Sequence, residues 1–139
     1  MIYSDGFSNK KESGYTVCNA DGDVLVREVF PNRRTCNEAE LRGVRAALNY
    51  SQDSVITDSK VVTYWVQSGK CQARPDLTPV VREVQTILRE RGIRLKWLPR
   101  EENLAGSYNE STGLLNRETI KPSRTCIVAH RGAELPLIL

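Results

Sequence analysis

The feature that most constrains this chain is a change of hydrophobic period near residue 37. Before it, three short runs, Ile2 to Gly6, Gly14 to Ala20 and Val24 to Phe30, read as strands, the last two joined by the Asp21-Gly22-Asp23 turn. In the third run Val24, Val26 and Glu28 face one way and Leu25, Arg27 and Val29 the other, the alternation of a strand with two differently covered faces. Strands spaced this closely join as hairpins, so the chain opens with an antiparallel meander. After residue 37, Leu41, Val44, Ala47 and Leu48 follow the three-and-four spacing of a helix face, predicting one helix over about 38–50.

The two periods then alternate. Ser54-Val55-Ile56-Thr57 is a β-branched run short enough for a buried strand, and Val61, Val62, Trp65 and Val66 return to helical spacing. Residues 68–76 read as a loop. Beyond it Leu77, Val80, Val81, Val84, Ile87 and Leu88 form the cleanest amphipathic stripe, with Asp76 placed to cap its start, Pro79 tolerated in the first turn and Gly92 placed to end it. Ile93, Leu95 and Trp97 alternate with Arg94 and Lys96 as a fifth strand stopping at Pro99, and a last helix is expected near 103–115. Trp65 and Trp97 are both expected in the core. The order βββαβαβα predicts an α/β fold, a mixed sheet of five strands with helices packed on its faces. The domain is expected to span 1–115. Residues 116–139 hold no sustained period and read as a C-terminal tail that either packs on the domain or docks on a neighbour.

Composition excludes several functions. With 139 residues, 40% apolar and 27% charged, the chain can bury one ordinary core and not two. No apolar run approaches 18 residues, and the opening MIYSDG has no basic segment followed by an apolar one, so a soluble, cytoplasmic protein without a membrane partner is expected. Cys18, Cys36, Cys71 and Cys126 form no CxxC pair, and His130 is the only histidine, which argues against a structural zinc site and a histidine-based triad. Carboxylates must carry any catalysis.

Three acids stand at positions where an acid needs explaining. Asp5 falls inside the first strand, where burial is costly without compensation, unless Asp5-Gly6 is simply a turn. Glu40 lies in the first turn of the first helix, three residues after Asn37 in the spacing of a capping box; Glu38, two residues away, must point elsewhere. Asp58 follows an apolar strand directly, and Ser59 can take the capping role and leave it free. Taken jointly, three acids at element ends around one sheet suit hard divalent cations, magnesium above all. Paired metals are a standard device for attacking a phosphodiester with water.

Four segments, Tyr3-Ser4-Asp5-Gly6-Phe7-Ser8, Asn37-Glu38-Ala39-Glu40-Leu41, Thr57-Asp58-Ser59 and Trp97-Leu98-Pro99-Arg100-Glu101-Glu102-Asn103, follow one another in an order and spacing that resembles the type I ribonuclease H family, enzymes that cut RNA in RNA–DNA hybrids. The resemblance runs from residue 1 to about 110. It implies the ribonuclease H-like fold, a five-stranded mixed sheet with its first three strands antiparallel. It also implies that Asp5, Glu40 and Asp58 hold metal, two Mg2+ ions with Mn2+ as a substitute, and that Gly6, Asn37 and Cys36 stand where the family touches RNA. Asn103 resembles the family's late asparagine, and Arg100 stands in the loop where members carry histidine or arginine. The family's usual fourth acid would fall at Ser107 and is missing, so Glu110, one helical turn on, is expected to compensate.

The implied function is metal-dependent endonucleolytic hydrolysis of the RNA strand of an RNA–DNA hybrid. The alternative is a non-catalytic hybrid- or double-stranded-RNA-binding module that has lost the fourth acid; a nuclease acting on DNA is a weaker third reading. Residues 60–100 hold nine basic residues against three acids, although the whole chain carries only +3. Phosphate contact is expected there, first from Lys60 and Arg100, which fall nearest the acids.

Overall fold

The computed structural model describes residues 1–111. The meander forms β1 (Ile2–Ser8), β2 (Ser13–Asn19) and β3 (Val24–Val29), and the alternating half supplies α1 (Cys36–Ala47), β4 (Ser54–Thr57), α2 (Lys60–Ser68), α3 (Thr78–Arg91), β5 (Arg94–Trp97) and α4 (Leu104–Ser111). The strands make one sheet in the order β3-β2-β1-β4-β5. β1 is antiparallel to β2, and β2 to β3, whereas β4 runs parallel to both β1 and β5. This is the mixed α/β sheet the element order predicted, and the ribonuclease H-like architecture the resemblance implied. Residues 112–115 of the expected domain and the 116–139 tail lie outside the described residues. No helix among the described residues is long and apolar enough to cross a membrane.

The two faces of the sheet bury different layers. Tyr15 and Val17 of β2, with Ile2 of β1 and Val55 of β4, join the main core with Leu41, Val44, Ala47 and Leu48 of α1, Val62 and Trp65 of α2, and Val81 and Val84 of α3. The alternate positions, Tyr3 of β1 and Cys18 of β2, belong to a smaller cluster with Leu104, Ala105 and Tyr108 of α4. α1, α2 and α3 therefore cover one face and α4 the other. Asp5, in phase with Tyr3, points toward the α4 side.

Several local expectations are corrected. Asp5-Gly6 is not a turn: β1 continues to Ser8, and Asp5 pairs with Thr16. α1 is capped by Thr35 rather than Asn37, its hydroxyl accepting the Glu38 N–H at 3.2 Å, so Glu40 is released from any capping role. Asp76 does not cap α3; its carboxylate pairs with Arg74, and a 3-10 turn at Pro75–Leu77 leads into the helix instead. Gly92 does end α3, in the left-handed conformation at φ 67°. Trp65 is core as expected, whereas Trp97 is 38% exposed, because among the described residues β5 is an edge strand with no further strand beside it.

Candidate active site

The site lies where the antiparallel and parallel halves of the sheet meet. Tyr3 pairs with Ile56 across the parallel β1–β4 ladder, and continuing that register by two residues sets Asp58 beside Asp5. Ser59 caps α2, its hydroxyl accepting the Val62 N–H at 3.1 Å, which leaves the Asp58 carboxylate out of the cap at the strand's end. α1 brings the third acid. A Cβ on Gly6 would lie 2.4 Å from the Glu40 nitrogen, so the helix can approach the strand this closely only over a glycine. The Gly6 N–H then donates to Glu40 Oε1 at 3.0 Å.

Asp5, Glu40 and Asp58 present carboxylate oxygens that all lie within 4.8 Å of one another. Asp5 and Glu40 are 2% and 7% exposed. Asp5 Oδ1 and Asp58 Oδ2 are buried without a hydrogen-bond donor. Burial first, and the charge of Asp58 second, push the Asp5 carboxyl from 3.8 up to about 7. Burial and the two aspartates hold Glu40 well above the usual range, and burial raises Asp58 although the Arg100 guanidinium opposes it. Three crowded carboxylates with donorless oxygens are the donor set that a hard divalent cation satisfies, and no thiol or imidazole competes for the ion among them.

Asp5 and Glu40 open onto a pocket of about 200 Å³ whose lining includes Cys36, Arg100, Asn109 and Glu110. Burial and the nearby acids push the Cys36 thiol up to about 11, so it stays protonated at neutral pH. Glu110 is not drawn into the cluster of three. It stands 51% exposed at the rim, its Oε2 accepting from Arg100 Nε at 2.9 Å. Asn37 is exposed in the first turn of α1. Lys60 is exposed at the start of α2, its ammonium 5.0 Å from the centre of the Trp97 ring, and the Trp97 indole N–H donates to the Asp58 carbonyl at 3.0 Å. Asn103 is fully buried: Nδ2 donates to the Ser4 carbonyl at 2.9 Å and Oδ1 accepts the Ala105 N–H at 3.0 Å, tying the start of α4 to β1.

Two residues at the site escape a reading of the sequence, Asn109 and Thr16. Asn109 Nδ2 donates to Asp5 Oδ2 at 2.8 Å, and the Thr16 hydroxyl donates to Asn109 Oδ1 at 2.6 Å. The one available signal was the register, which sets Thr16 directly opposite Asp5; nothing in the composition of the last helix singles out Asn109. Glu38, the acid set aside, takes a structural post, accepting from Arg34, Arg42 and Arg74. Those guanidinium groups hold it down at about 2.

Comparison with known proteins places this geometry. The family described as reverse transcriptase-like matches residues 4–107. Among solved structures, the N-terminal RNase H domain of Rv2228c from Mycobacterium tuberculosis is 28% identical with a TM-score of 0.57, over 75% of this chain and 89% of that one. RNase H1 from the halophilic archaeon Halobacterium salinarum is 22% identical with a TM-score of 0.57, over 75% and 88%. LC11-RNase H1, solved in complex with an RNA/DNA hybrid, is 21% identical with a TM-score of 0.54, over 73% and 86%. No curated protein sequence matches the chain.

Proposed function

The chain belongs to the reverse transcriptase-like family of ribonuclease H-type domains, and from that premise we propose that it hydrolyses the RNA strand of RNA–DNA hybrids with the help of divalent cations. The observation that carries the reading is the convergence of Asp5, Glu40 and Asp58, with two of their buried oxygens lacking any donor. Mg2+, or Mn2+ in its place, would be held by these three carboxylates, with two ions as the proposed number; bound there, the ions would supply charge neutralisation and an activated water. The likeness to an RNase H1 in complex with an RNA/DNA hybrid supports the choice of substrate.

The chain's own residues divide the remaining work. The Gly6 backbone holds Glu40 in one orientation and leaves room for a sugar-phosphate strand to lie against β1. Asn37, exposed in the first turn of α1, offers an amide to the 2′-hydroxyls that distinguish RNA from DNA. Lys60, over the Trp97 ring, and Arg100, whose charge acts on Asp58, attract phosphate. Asn103 acts from beneath, fixing α4 against β1. Glu110 joins as a fourth acid by exchanging Arg100 for a cation, which at the same time frees the guanidinium for the substrate. Recognition is of hybrid shape rather than base sequence, and a cytoplasmic site of action is part of this proposal.

The specific observation favouring the second reading, a hybrid-binding module without turnover, is that Glu110 is paired to Arg100 while Ser107 supplies no acid. One assay separates the readings: labelled hybrid, RNA duplex and DNA duplex with Mg2+, Mn2+ or EDTA, for the wild type and Asp58→Asn. Cleavage of the hybrid alone, abolished by EDTA and reduced at least a hundredfold by Asp58→Asn, is the expected result. Hybrid binding without cleavage in either metal would establish the module; cleavage that survives EDTA would overturn the mechanism.

A further inference from the structure

Resting on the reading of the three acids as a cation site, we infer that Thr16 and Asn109 form a positioning relay that decides which oxygen of Asp5 is presented to the cation. The relay is built from three elements. Thr16 on β2 stands opposite Asp5 on β1 in the antiparallel register, so both side chains leave the same face of the sheet. α4 crosses that face with Gly106 beside Asp5, where even an added Cβ would sit 3.6 Å from Asp5 Cγ, and it delivers Asn109, 4% exposed, between the two.

The hydrogen bonds run in one direction. The Thr16 hydroxyl donates to Asn109 Oδ1 at 2.6 Å, so the Asn109 amide hydrogens face Asp5, donating to Oδ2 at 2.8 Å and reaching the Asp5 carbonyl at 3.4 Å. With Asp5 ionised, as it must be to ligate a cation, the reversed amide would set its oxygen against a carboxylate oxygen, two acceptors in contact. With Oδ2 engaged, Oδ1 is the oxygen left buried and donorless beside Asp58. α4 thus contributes a neutral amide at the spot where it contacts Asp5, and that amide orients a ligand. Thr16 acts through Asn109, and Asn109 through Asp5.

The test is Mn2+ binding to the full chain without nucleic acid, followed by calorimetric titration, for Asn109→Ala, Thr16→Val, Thr16→Ser and the Asn109→Ala/Thr16→Val double variant. Thermal melts in EDTA confirm that each is folded, and Thr16→Val, which keeps the shape of the side chain, serves if Asn109→Ala does not fold. Loss of the hydrogen-bonding partner of a ligating carboxylate weakens metal affinity about 10- to 100-fold. We expect about tenfold weaker binding for Asn109→Ala, a smaller loss for Thr16→Val that Thr16→Ser restores, and a double variant no weaker than Asn109→Ala alone. Unchanged affinity in Asn109→Ala, or in Thr16→Val where that variant stands in for it, overturns the relay. So do losses that simply add in the double variant. Asp58→Asn is the control on the underlying reading. If the wild type binds no Mn2+, or Asp58→Asn binds it as well as the wild type does, the cation site itself is refuted, a result distinguishable from failure of the relay alone.

Discussion

Replacing Asp5 by asparagine should stabilise the metal-free protein at alkaline pH while destroying its affinity for metal. Burial and the neighbouring Asp58 raise the Asp5 carboxyl from 3.8 to about 7 in the folded chain. The folded state therefore holds a proton that the unfolded state releases, and the associated stability is complete below about pH 3.8 and is lost as pH climbs through about 7. At about 1.4 kcal/mol per pH unit, the interval between 3.8 and about 7 sets a ceiling of about 4 kcal/mol by pH 8. An asparagine in this place keeps its Oδ1 available to the Asn109 amide and offers its own N–H groups to Glu40 and Asp58, so the charge is removed without orphaning a partner. Urea melts in EDTA at about pH 5 and about pH 8 measure the effect. The wild type should lose stability between the two, Asp5→Asn should lose much less, and the gap at the higher pH should be about 2–4 kcal/mol. Saturating Mg2+ should return the wild type's stability and leave the variant unmoved, because only a binding-competent folded state gains from ligand. If Asp5→Asn is no more stable than the wild type at about pH 8 in EDTA, the three acids are not mutually repelling and the case for a cation among them fails.

Further outcomes follow from the same geometry. Gly6→Ala puts a methyl into the α1 backbone at Glu40 and should cost about 1–3 kcal/mol in urea unfolding while displacing Glu40; wild-type stability would mean that helix and strand are less closely apposed than 2.4 Å implies. Glu38→Gln should destabilise near neutral pH, because a carboxyl held down at about 2 contributes stability present above its ordinary 4.5 and lost as pH falls toward 2; the difference from wild type should therefore shrink on acidification. Alanine at Lys60 and Arg100 together should weaken hybrid binding and reduce the slope of log affinity against log salt by about 2, measured by fluorescence anisotropy, and an unchanged slope would move the binding face elsewhere.

The sequence by itself determined the order of elements, because the period of apolar residues is a local property. Alternation up to Phe30, helical spacing from Leu41 and the β-branched Val55-Ile56 pair are legible without knowing what packs against them. It also made Asp5, Glu40 and Asp58 conspicuous as a set, although Asp5 and Glu40 each had a sufficient local explanation taken singly, and Ser59 offered an alternative cap that could leave Asp58 out of that role. Capping was less legible. Thr35 and Asn37 both have capping side chains, and the choice between them fixes whether Glu38 or Glu40 turns toward the sheet; the contact over Gly6 and the arginines around Glu38 make that choice, and both are non-local. The exposure of Trp97 was likewise hidden, because alternation reveals which residues share a face and not whether a strand lies at the edge of the sheet. Asn109 and Thr16 were beyond reach for the strongest reason: they lie 93 residues apart in the chain, and their hydrogen bond exists only because α4 folds back across β1 and β2. A polar residue takes its role from the partner that the fold brings to it, and that partner is a property of the tertiary structure alone.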